Sequence, residues 1–439
     1  MYPVHQISMS GNKRTKDFVI LREMVVNTDS FYQENSIDEV LEISKNRILN
    51  LNLFNKVNVS KTLTILNGKK GYLVHIAVIE KWNIWPLPFV EFSDRNFNVW
   101  GDLNFDPERT NYGLYLFYYN LSGRNHTLKT KLKRGYNSEA GLEYRVPFVS
   151  QKSNWGFETY VDFSAQNEVW YRTRNDSVQF FRNGESNLIN RAKVGVDFSN
   201  RIQPFLKAYI GAHYNYGRLD TAVPQENFFV QDAAEQKVVR VSAALELDTR
   251  DNVYYPLEGL YVVSQVDLER YSAAKNIHNL GVQFQIQKYD KLRDKIYSSI
   301  NLTAQYNTYQ RLGYANRKQL GYDYMLRGFE HYVMDGNAST RASAALRYHW
   351  LDKSDLELNF IPIKNYKVLP LNMYIELFSD AGYASDVLAD ESNSLTNRFL
   401  YSAGLGLNML VYNDRLLRVE YSLNSLKEGG IFVHFKKAI

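Results

Sequence analysis

The sequence predicts an all-β transmembrane barrel of sixteen antiparallel strands, preceded by one small α+β domain. First, stretches of alternating apolar and polar residues recur from residue 82 to the C-terminus, each about long enough to cross a bilayer, which takes a tilted strand roughly 9–11 residues. Second, the connections between these stretches alternate between long and short, as in bacterial outer-membrane barrels. Third, the chain has no apolar run of about 18 residues, which excludes membrane-spanning helices.

The composition fits such a barrel. The 33 Tyr and 24 Phe could supply aromatic girdles, although β-sandwiches are aromatic too. A net charge of +5 without a basic run argues against nucleic acid as a partner. The absence of cysteine fits a bacterial envelope protein. The first residues show no secretion signal, so we expect either a removed signal or a fragment with an altered start.

The first 81 residues have the pattern of a β-α-α-β-β unit. A strand over 4–10 ends at a Gly-Asn turn, and a short helix is predicted over 17–24. Ser36 is predicted to cap a longer helix, because Glu39 follows it at the capping-box spacing. Two further strands are predicted over 57–66 and 72–80.

This unit resembles a POTRA domain, the periplasmic module that precedes outer-membrane assembly barrels. The matching residues are Ile7 with the sequence Gly-Asn-Lys-Arg-Thr over 11–15, and the segments 51–54 and 57–59 after the second helix. A generic small α+β domain is the alternative. The resemblance implies a periplasmic domain over 1–81 that can bind unfolded chains by adding a strand at a sheet edge.

Residues 82–439 are predicted to form the barrel, and no helix is predicted beyond Trp82. The strands lie near 88–95, 111–120, 125–136, 138–149, 153–167, 186–200, 204–217, 237–249, 257–271, 276–290, 294–309, 338–350, 370–384, 396–411, 414–423 and 429–437. If the POTRA-like unit is periplasmic, connections after odd-numbered strands face outward and should be long. They are long after strands one, five, seven, eleven and thirteen, and short after two, six, ten and fourteen. The long stretch 351–369 is an exception.

A Gly/Tyr-rich segment, about 310–339, interrupts the strands and becomes the sixth outer loop. Its residues Leu326, Arg327, Gly328 and Phe329 resemble the arginine-glycine-aromatic loop motif of the BamA-type outer-membrane assembly and two-partner-secretion barrel superfamily, which includes surface antigen D-type bacterial proteins. In that superfamily the loop folds into the barrel, and its arginine meets an aspartate on strand thirteen. The resemblance therefore implies an inward-folded sixth loop.

Strand thirteen carries the matching acid. Phe378 and Asp380 resemble the superfamily's aromatic-x-aspartate pattern, which makes Asp380 the implied partner of Arg327, with Glu376 as a second acid on the same strand face. The alternative is a solvated Arg327 and an ordinary lumen carboxylate. Many relatives have an acid on strand twelve where this chain has Ala345, so a carboxylate contact from that strand is in doubt.

The segment 247–252, followed by a proline and a glycine, resembles the superfamily's turn between strands eight and nine. A plain hairpin rich in Asp, Asn, Pro and Gly is equally compatible with it. Asp248 and Asp251 could bind Ca²⁺, but a solvated turn is the favoured interpretation. Trp82, Trp85 and Trp100 are expected to be interface anchors where the POTRA-like domain meets the barrel.

The first and last strands are predicted to form a weak lateral seam. Pro86 and Pro88 lack backbone donors near the start of the first strand, and two glycines soften the start of the last one. The seam residues are Phe89, Val90, Glu91, Phe92, Gly429, Gly430, Ile431, Val433 and Phe435. An open seam would expose strand edges that could template a client strand.

We therefore expect a protein of the Gram-negative outer membrane that helps insert or translocate polypeptides. Its expected partners are the lipid bilayer, unfolded or partly folded clients and accessory envelope proteins, with no nucleic acid. No enzymatic activity, cofactor or metal is expected, because the eight His are scattered and no catalytic motif occurs. A passive porin-like channel and a scaffold subunit of a larger envelope complex are the alternatives.

Overall fold

The computed structural model describes residues 1–28, 30–66, 68–93, 97–102, 104–184, 187–272, 276–322, 325–357, 368–411 and 415–437. The N-terminal elements are β1 (Tyr2–Ser10), α1 (Asp17–Leu21), β2 (Phe31–Tyr32), α2 (Glu34–Asn50), β3 (Phe54–Leu66) and β4 (Lys69–Glu80). Their strands form one sheet in the order β2-β1-β4-β3, with β1 parallel to β4. Both helices bury apolar residues against this sheet, among them Ile20 and Ile37.

Two helix boundaries differ from the prediction. α1 ends at Leu21 rather than at residue 24, because the amides of Glu23 and Met24 bond to carbonyls three residues back and tighten the chain into a turn. The second helix begins at Glu34, so the prediction that Ser36 is its N-cap is wrong. Gln33 is the N-cap, and its N–H donates to the Ser36 hydroxyl (3.1 Å) in a capping box.

The remaining elements are, in chain order, β5 (Ile84–Phe92), α3 (Phe97–Asp102), β6 (Thr110–Leu121), β7 (His126–Gly135), β8 (Asn137–Val146), β9 (Trp155–Gln166), β10 (Val169–Arg174), β11 (Ser177–Phe181), β12 (Ile189–Gln203), β13 (Leu206–Leu219), β14 (Glu235–Asp248), β15 (Gly259–Ser272), β16 (Asn276–Arg293), β17 (Ile296–Asn307), β18 (Lys318–Leu320), β19 (Met334–Asp335), β20 (Ala338–Glu357), β21 (Val368–Ser385), β22 (Leu400–Val411), β23 (Arg415–Asn424) and β24 (Gly429–Lys437). Short 3₁₀ turns lie at 107–109, 230–232 and 314–316.

Sixteen of these strands form one antiparallel sheet, as predicted. Its order is β24-β23-β22-β21-β20-β17-β16-β15-β14-β13-β12-β9-β8-β7-β6-β5, so the first and last strands are its two ends. Strands β10 with β11, and β18 with β19, form two small hairpins in the long connections. The sixteen-stranded barrel fold is confirmed.

The two faces of the sheet have opposite character. On β23, Val419 and Tyr421 face outward and are exposed, whereas Glu420 and Ser422 face inward and are each only 1% exposed. A buried polar interior under an exposed apolar exterior is the alternation typical of an outer-membrane barrel wall. None of the helices in the described parts of the chain is long and apolar enough to cross a membrane.

Three expectations about the barrel need correction. The stretch 351–369 is not all connection, because β20 and β21 continue their ladder as far as Glu357 opposite Val368; residues 358–367 lie outside the described residues. A short helix, α3, does occur beyond Trp82. Trp100 lies in that helix, past the opposite end of β5 from Trp82, and its ring stacks on Phe92 at 3.8 Å, so it does not anchor the domain junction.

The N-terminal domain contacts the barrel at the end where the short connections lie. The N–H of Lys16 donates to the Gly123 carbonyl (2.9 Å) in the β6–β7 turn. Glu23 lies 2.7 Å from Arg201, near the β12–β13 turn. Asn50 donates to the Asp251 carbonyl (3.3 Å) in the β14–β15 turn. The domain therefore rests on several turns at this mouth of the barrel.

Candidate functional site

The side chains of the 326–329 segment fill an apolar pocket of the barrel. Leu326 and Phe329 are each 1% exposed. They pack in one cluster with Leu320, Met334, Ala384, Leu395 and Leu400. The N–H of Phe329 donates to the Leu326 carbonyl (3.0 Å), which closes a turn and leaves Arg327 at its tip. The loop thus folds inward, anchored by its apolar residues.

The Arg327 side chain lies against the predicted acids of β21. Its Nε and Nη2 donate to the two carboxylate oxygens of Asp380, at 2.9 and 2.5 Å. Its Nη1 donates to Glu376 Oε1 at 2.8 Å. The guanidinium also lies 3.7 Å from the centre of the Phe378 ring, a cation–π geometry. The structure therefore brings together the four residues that the sequence placed in this cluster.

Arg327 also contacts two groups that the sequence does not predict as its partners. Glu420 on β23 accepts from Nη1 at 3.3 Å, and Ser343 on β20 accepts from Nη2 at 2.8 Å. Strand β20 thus contributes a hydroxyl rather than a carboxylate. Ala345 lies on the same inner face, opposite Phe378 in the ladder, but its methyl group offers no hydrogen bond. The period-two alternation of β23 places Glu420 on the inner face, but no local pattern predicts that it reaches this loop.

Gly328 is required by its conformation and its surroundings. Its φ of 81° lies in the left-handed region, which favours glycine. Its carbonyl accepts a bond from Asn424 Nδ2 at 2.8 Å. An added Cβ would lie 3.2–3.4 Å from side-chain atoms of Ser422, Ser402 and Asn424. An added methyl group would therefore crowd side chains of β22 and β23.

The acids that hold Arg327 also connect to the opposite mouth of the barrel. Glu376 Oε2 accepts from Arg347 Nε at 2.7 Å and from Asn408 Nδ2 at 3.0 Å. Arg347 in turn donates to the Pro256 carbonyl (2.9 Å), and Asn408 donates to the Tyr255 hydroxyl (3.0 Å). Polar contacts therefore run from the outer loop to the β14–β15 turn.

That turn uses both of its aspartates to hold its own shape. Asp248 pairs with Arg250 at 2.7 Å. Asp251 Oδ1 accepts backbone N–H bonds from Asn252 and Leu257, at 2.8 and 3.0 Å. Burial nonetheless raises the pKa of the Asp251 carboxyl above its usual range, because desolvation outweighs those donors. The Asp/Asn/Pro/Gly composition is explained by turn geometry, and the favoured role of these acids is structural.

The predicted seam residues lie on the two end strands of the sheet. Among the described residues, no hydrogen-bonded ladder joins β5 to β24. Val90 is 72% exposed on the outer face of β5, while Ile431, Val433 and Phe435 are exposed on β24. On the inner side, Glu91 pairs with Lys133 of β7 at 3.1 Å.

The other seam residues contact their own side of the sheet. Phe89 packs against Tyr115 of β6, with ring centres 4.6 Å apart. Gly429 and Gly430 pair with Leu423 and Ser422 at the start of the β23–β24 ladder. The helix α3 lies close to β24, so the chain that follows β5 approaches the last strand without a ladder.

Two family models match the chain. Residues 120–350 match the Omp85 superfamily domain, and residues 2–81 match the POTRA model described as surface antigen variable number repeat. The chain is also similar to the outer membrane protein assembly factor BamA of Neorickettsia risticii (strain Illinois), with 26% identity over 262 residues. That match covers 59% of this chain and 31% of the relative, so it spans about a third of the relative's length.

Two solved structures resemble the whole chain in fold. BamA from Haemophilus ducreyi lacking POTRA domains 1–3 has a TM-score of 0.52 and 14% identity, covering 99% of this chain and 83% of that one. CdiB from Escherichia coli has a TM-score of 0.56 and 11% identity, covering 99% and 75%. At these identities the likeness concerns the fold alone. Because the Omp85 model matches more than half of the 439 residues, and a POTRA domain precedes that match, this chain belongs to the Omp85 superfamily.

Proposed function

We propose that this protein inserts or translocates client polypeptides at the bacterial outer membrane, using the seam between β5 and β24. The observation that carries the proposal is that the sixteen-stranded sheet ends at these two strands without a ladder between them in the described residues. Edge strands present unpaired backbone N–H and C=O groups to any strand that arrives beside them. A client strand can therefore pair with either edge without a particular sequence.

The composition of β5 supports its role as one edge. Pro86 and Pro88 lie within this strand, opposite Leu116 and Leu114 of β6. Because proline has no N–H, it is confined to edge strands and bulges within sheets. Two prolines so close together lower the number of hydrogen bonds that could close the barrel, which favours a seam that opens.

The sixth loop supports the other side of the seam. Arg327 contacts β20, β21 and β23, and the carbonyl of Gly328 contacts β23. These contacts link strands near the last edge to one buried guanidinium. The loop would therefore keep β24 and its neighbours in a fixed arrangement while a client pairs with the edge. This role requires the charge and the fork geometry of arginine.

The POTRA domain offers a first docking place for a client. Its sheet order leaves β3 at one edge, paired only with β4. Leu63, Ile65 and Leu66 on β3 are exposed. We propose that an unfolded segment adds to β3 as a further strand and packs its apolar side chains against these residues. Accessory envelope proteins could use the same edge.

The outer face of the barrel fits a lipid bilayer as its surroundings. Exposed apolar residues cover it on strands far apart in the sheet, for example Leu132 on β7, Ile300 on β17 and Leu405 on β22. A barrel of this superfamily with an N-terminal POTRA domain lies in the outer membrane, with that domain in the periplasm. The proposed mechanism is strand pairing, and it assigns no catalytic residue.

A covalent lock across the seam tests the proposal, because the chain has no native cysteine. The lock introduces cysteine at Val90 together with Ile431 or Val433. The matched controls are V90C/Y112C and V419C/V433C, which join register partners within β5–β6 and β23–β24. The protein is reconstituted in liposomes, and folding of an unfolded outer-membrane barrel client is followed by protease protection.

We expect the seam lock to abolish client folding, while both controls and the reduced form of the locked protein keep it. A locked protein that works as well as its reduced form would refute lateral opening. A protein that gives large, steady conductance in planar bilayers and never changes client folding would instead be a passive channel.

A further inference from the structure

A second cluster of ionisable side chains lies beside the Arg327 contacts, where the sixth loop meets the last strand. It consists of Glu330 in the loop, Glu420 on β23 and His434 on β24, with one nitrogen or oxygen atom of each within 4.8 Å of the others. The two glutamates are each 1% exposed, and the imidazole is 20% exposed. The cluster is therefore largely closed to solvent.

The distances within the cluster fit a shared metal ion. His434 Nε2 lies 3.0 Å from Glu330 Oε1 and 3.4 Å from Glu420 Oε2. In a tetrahedral zinc site with bonds of about 2.0–2.2 Å, ligand atoms lie roughly 3.3–3.6 Å from one another. The two distances from His434 are close to this spacing, and the Glu330 and Glu420 oxygens lie within 4.8 Å of each other. Rotations of these side chains would complete the site.

The two oxygens of Glu420 have different surroundings. Oε1 faces the guanidiniums of Arg327 and Arg418, at 3.3 and 3.7 Å. Oε2 is buried and, in the described structure, has no hydrogen-bond partner, although His434 lies at ion-pair distance. A buried carboxylate oxygen without a partner is costly. A cation between Oε2, Glu330 and His434 would satisfy it.

We propose that Glu330, Glu420 and His434 bind a divalent transition-metal ion, with Zn²⁺ as the best match. One imidazole nitrogen and two carboxylate oxygens are zinc ligands, and three protein ligands leave a fourth position for water. Ca²⁺ and Mg²⁺ prefer sites made of oxygen alone, so the imidazole disfavours them. This inference goes beyond the proposed function, because it rests on the ligand geometry and not on any client.

A metal at this position would tie the sixth loop to the edge of the seam. Glu330 follows the motif closely in the loop, whereas His434 lies on the end strand β24. The ring of His331 already lies 6.1 Å from that of Phe432 on the same strand. The ion would bridge the loop and β24 through Glu330 and His434, in addition to this ring contact, and would restrain β24.

The test measures metal retained by the full chain in detergent. The protein is stripped with EDTA, loaded with zinc chloride at pH 7.5 and desalted, and its zinc content is determined by mass spectrometry. We expect about one zinc per chain in the wild type, and at least about tenfold less retained zinc in H434Q and in E420Q. The control is H213Q, because His213 also faces a carboxylate, Asp197 at 3.2 Å, but lies outside the cluster.

Loading with cobalt chloride gives a second readout. Co²⁺ bound by these ligands should show visible absorption bands that are missing in H434Q and present in H213Q. Each variant is checked for folding by its heat-dependent migration on gels, and E330Q replaces any variant that fails this check. The proposal is overturned if the stripped wild-type chain retains no zinc, or if H434Q retains as much zinc as H213Q does.

Discussion

The two sides of the seam are supported by different parts of the molecule. On the β24 side, the inward-folded loop contacts the β23–β24 turn, where Tyr332 donates to Glu428 at 2.8 Å, and the inner face of β24, where Glu330 lies 3.0 Å from His434. On the β5 side, contacts come from the next strands of the sheet, such as Phe89 with Tyr115 of β6 at 4.6 Å and Glu91 with Lys133 of β7 at 3.1 Å. The last strands are thus held by a distant segment and the first strand by local pairing.

This difference suggests which side moves. Opening at β24 would have to break the contact of His434 with Glu330 in the loop, and Arg327 holds that loop to β20, β21 and β23. Movement of β5 would mainly disturb its ladder with β6 and the contacts of α3. We therefore propose that β5 is the mobile side of the seam, and that β20–β24 with the sixth loop form the fixed side.

Replacing Arg327 should have the largest effect. R327A leaves Asp380 and Glu376 buried without their shared cation, and breaking a buried ion pair costs about 3–5 kcal/mol. We expect the barrel to melt at a clearly lower temperature on heat-shift gels, with lower client levels. The matched control is R240A, an inner-face arginine on β14 whose nearest pair, to Glu269, is longer at 3.5 Å. If R327A changes neither the melting temperature nor the client levels, Arg327 does not hold the fixed side of the seam.

Replacing Gly328 should have an intermediate effect. An alanine in the left-handed region costs about 1–2 kcal/mol, and here its Cβ would also crowd Ser402 and Ser422. G184A is the control, because Gly184 has a similar φ of 83° in an outer loop but nothing within 4 Å of the added Cβ. We expect G328A to lower the melting temperature more than G184A does. Equal shifts would mean that the close approach to β22 and β23 does not matter.

Replacing Asn50 should have the smallest effect. Its side chain donates to the Asp251 carbonyl at 3.3 Å and accepts the Val253 N–H at 3.3 Å. Losing such bonds costs about 0.5–1.5 kcal/mol each. We expect N50A to make the junction of the POTRA domain and the barrel easier to cut in limited proteolysis, with no change in barrel melting. The control is N58A, at an exposed position on β3. A large loss of barrel stability in N50A would show that the domain supports the fixed side too.

Much of the fold could be predicted from the sequence because period-two alternation is local. This alternation located all sixteen strands of the barrel. It did not predict how far β20 and β21 extend, because the charged residues Asp352 and Lys353 are typical of a turn, whereas in the structure they continue the ladder. The β10–β11 hairpin was also missed. Asn175 and Asp176 both have positive φ, and Asn-Asp between two short alternating segments is a hairpin signal that could have revealed it.

The site was predictable only in part. The resemblance to a known loop motif supplied Arg327 and Asp380. The contact to Glu420 depends on how deep the loop sits and how the wall curves between β21 and β23, which no local pattern encodes. The same limit applies to His434, since a single histidine on an alternating strand gives no sign that two glutamates from distant positions converge on it.

Amide hydrogen exchange of the protein in lipid nanodiscs tests the central comparison most directly. If β5 is the mobile side, peptides from β5 exchange faster than peptides from β24, and R327A raises the exchange of β24 toward that of β5 while R240A does not. Equal protection of the two strands in the wild-type protein, or unchanged β24 exchange in R327A, would contradict it.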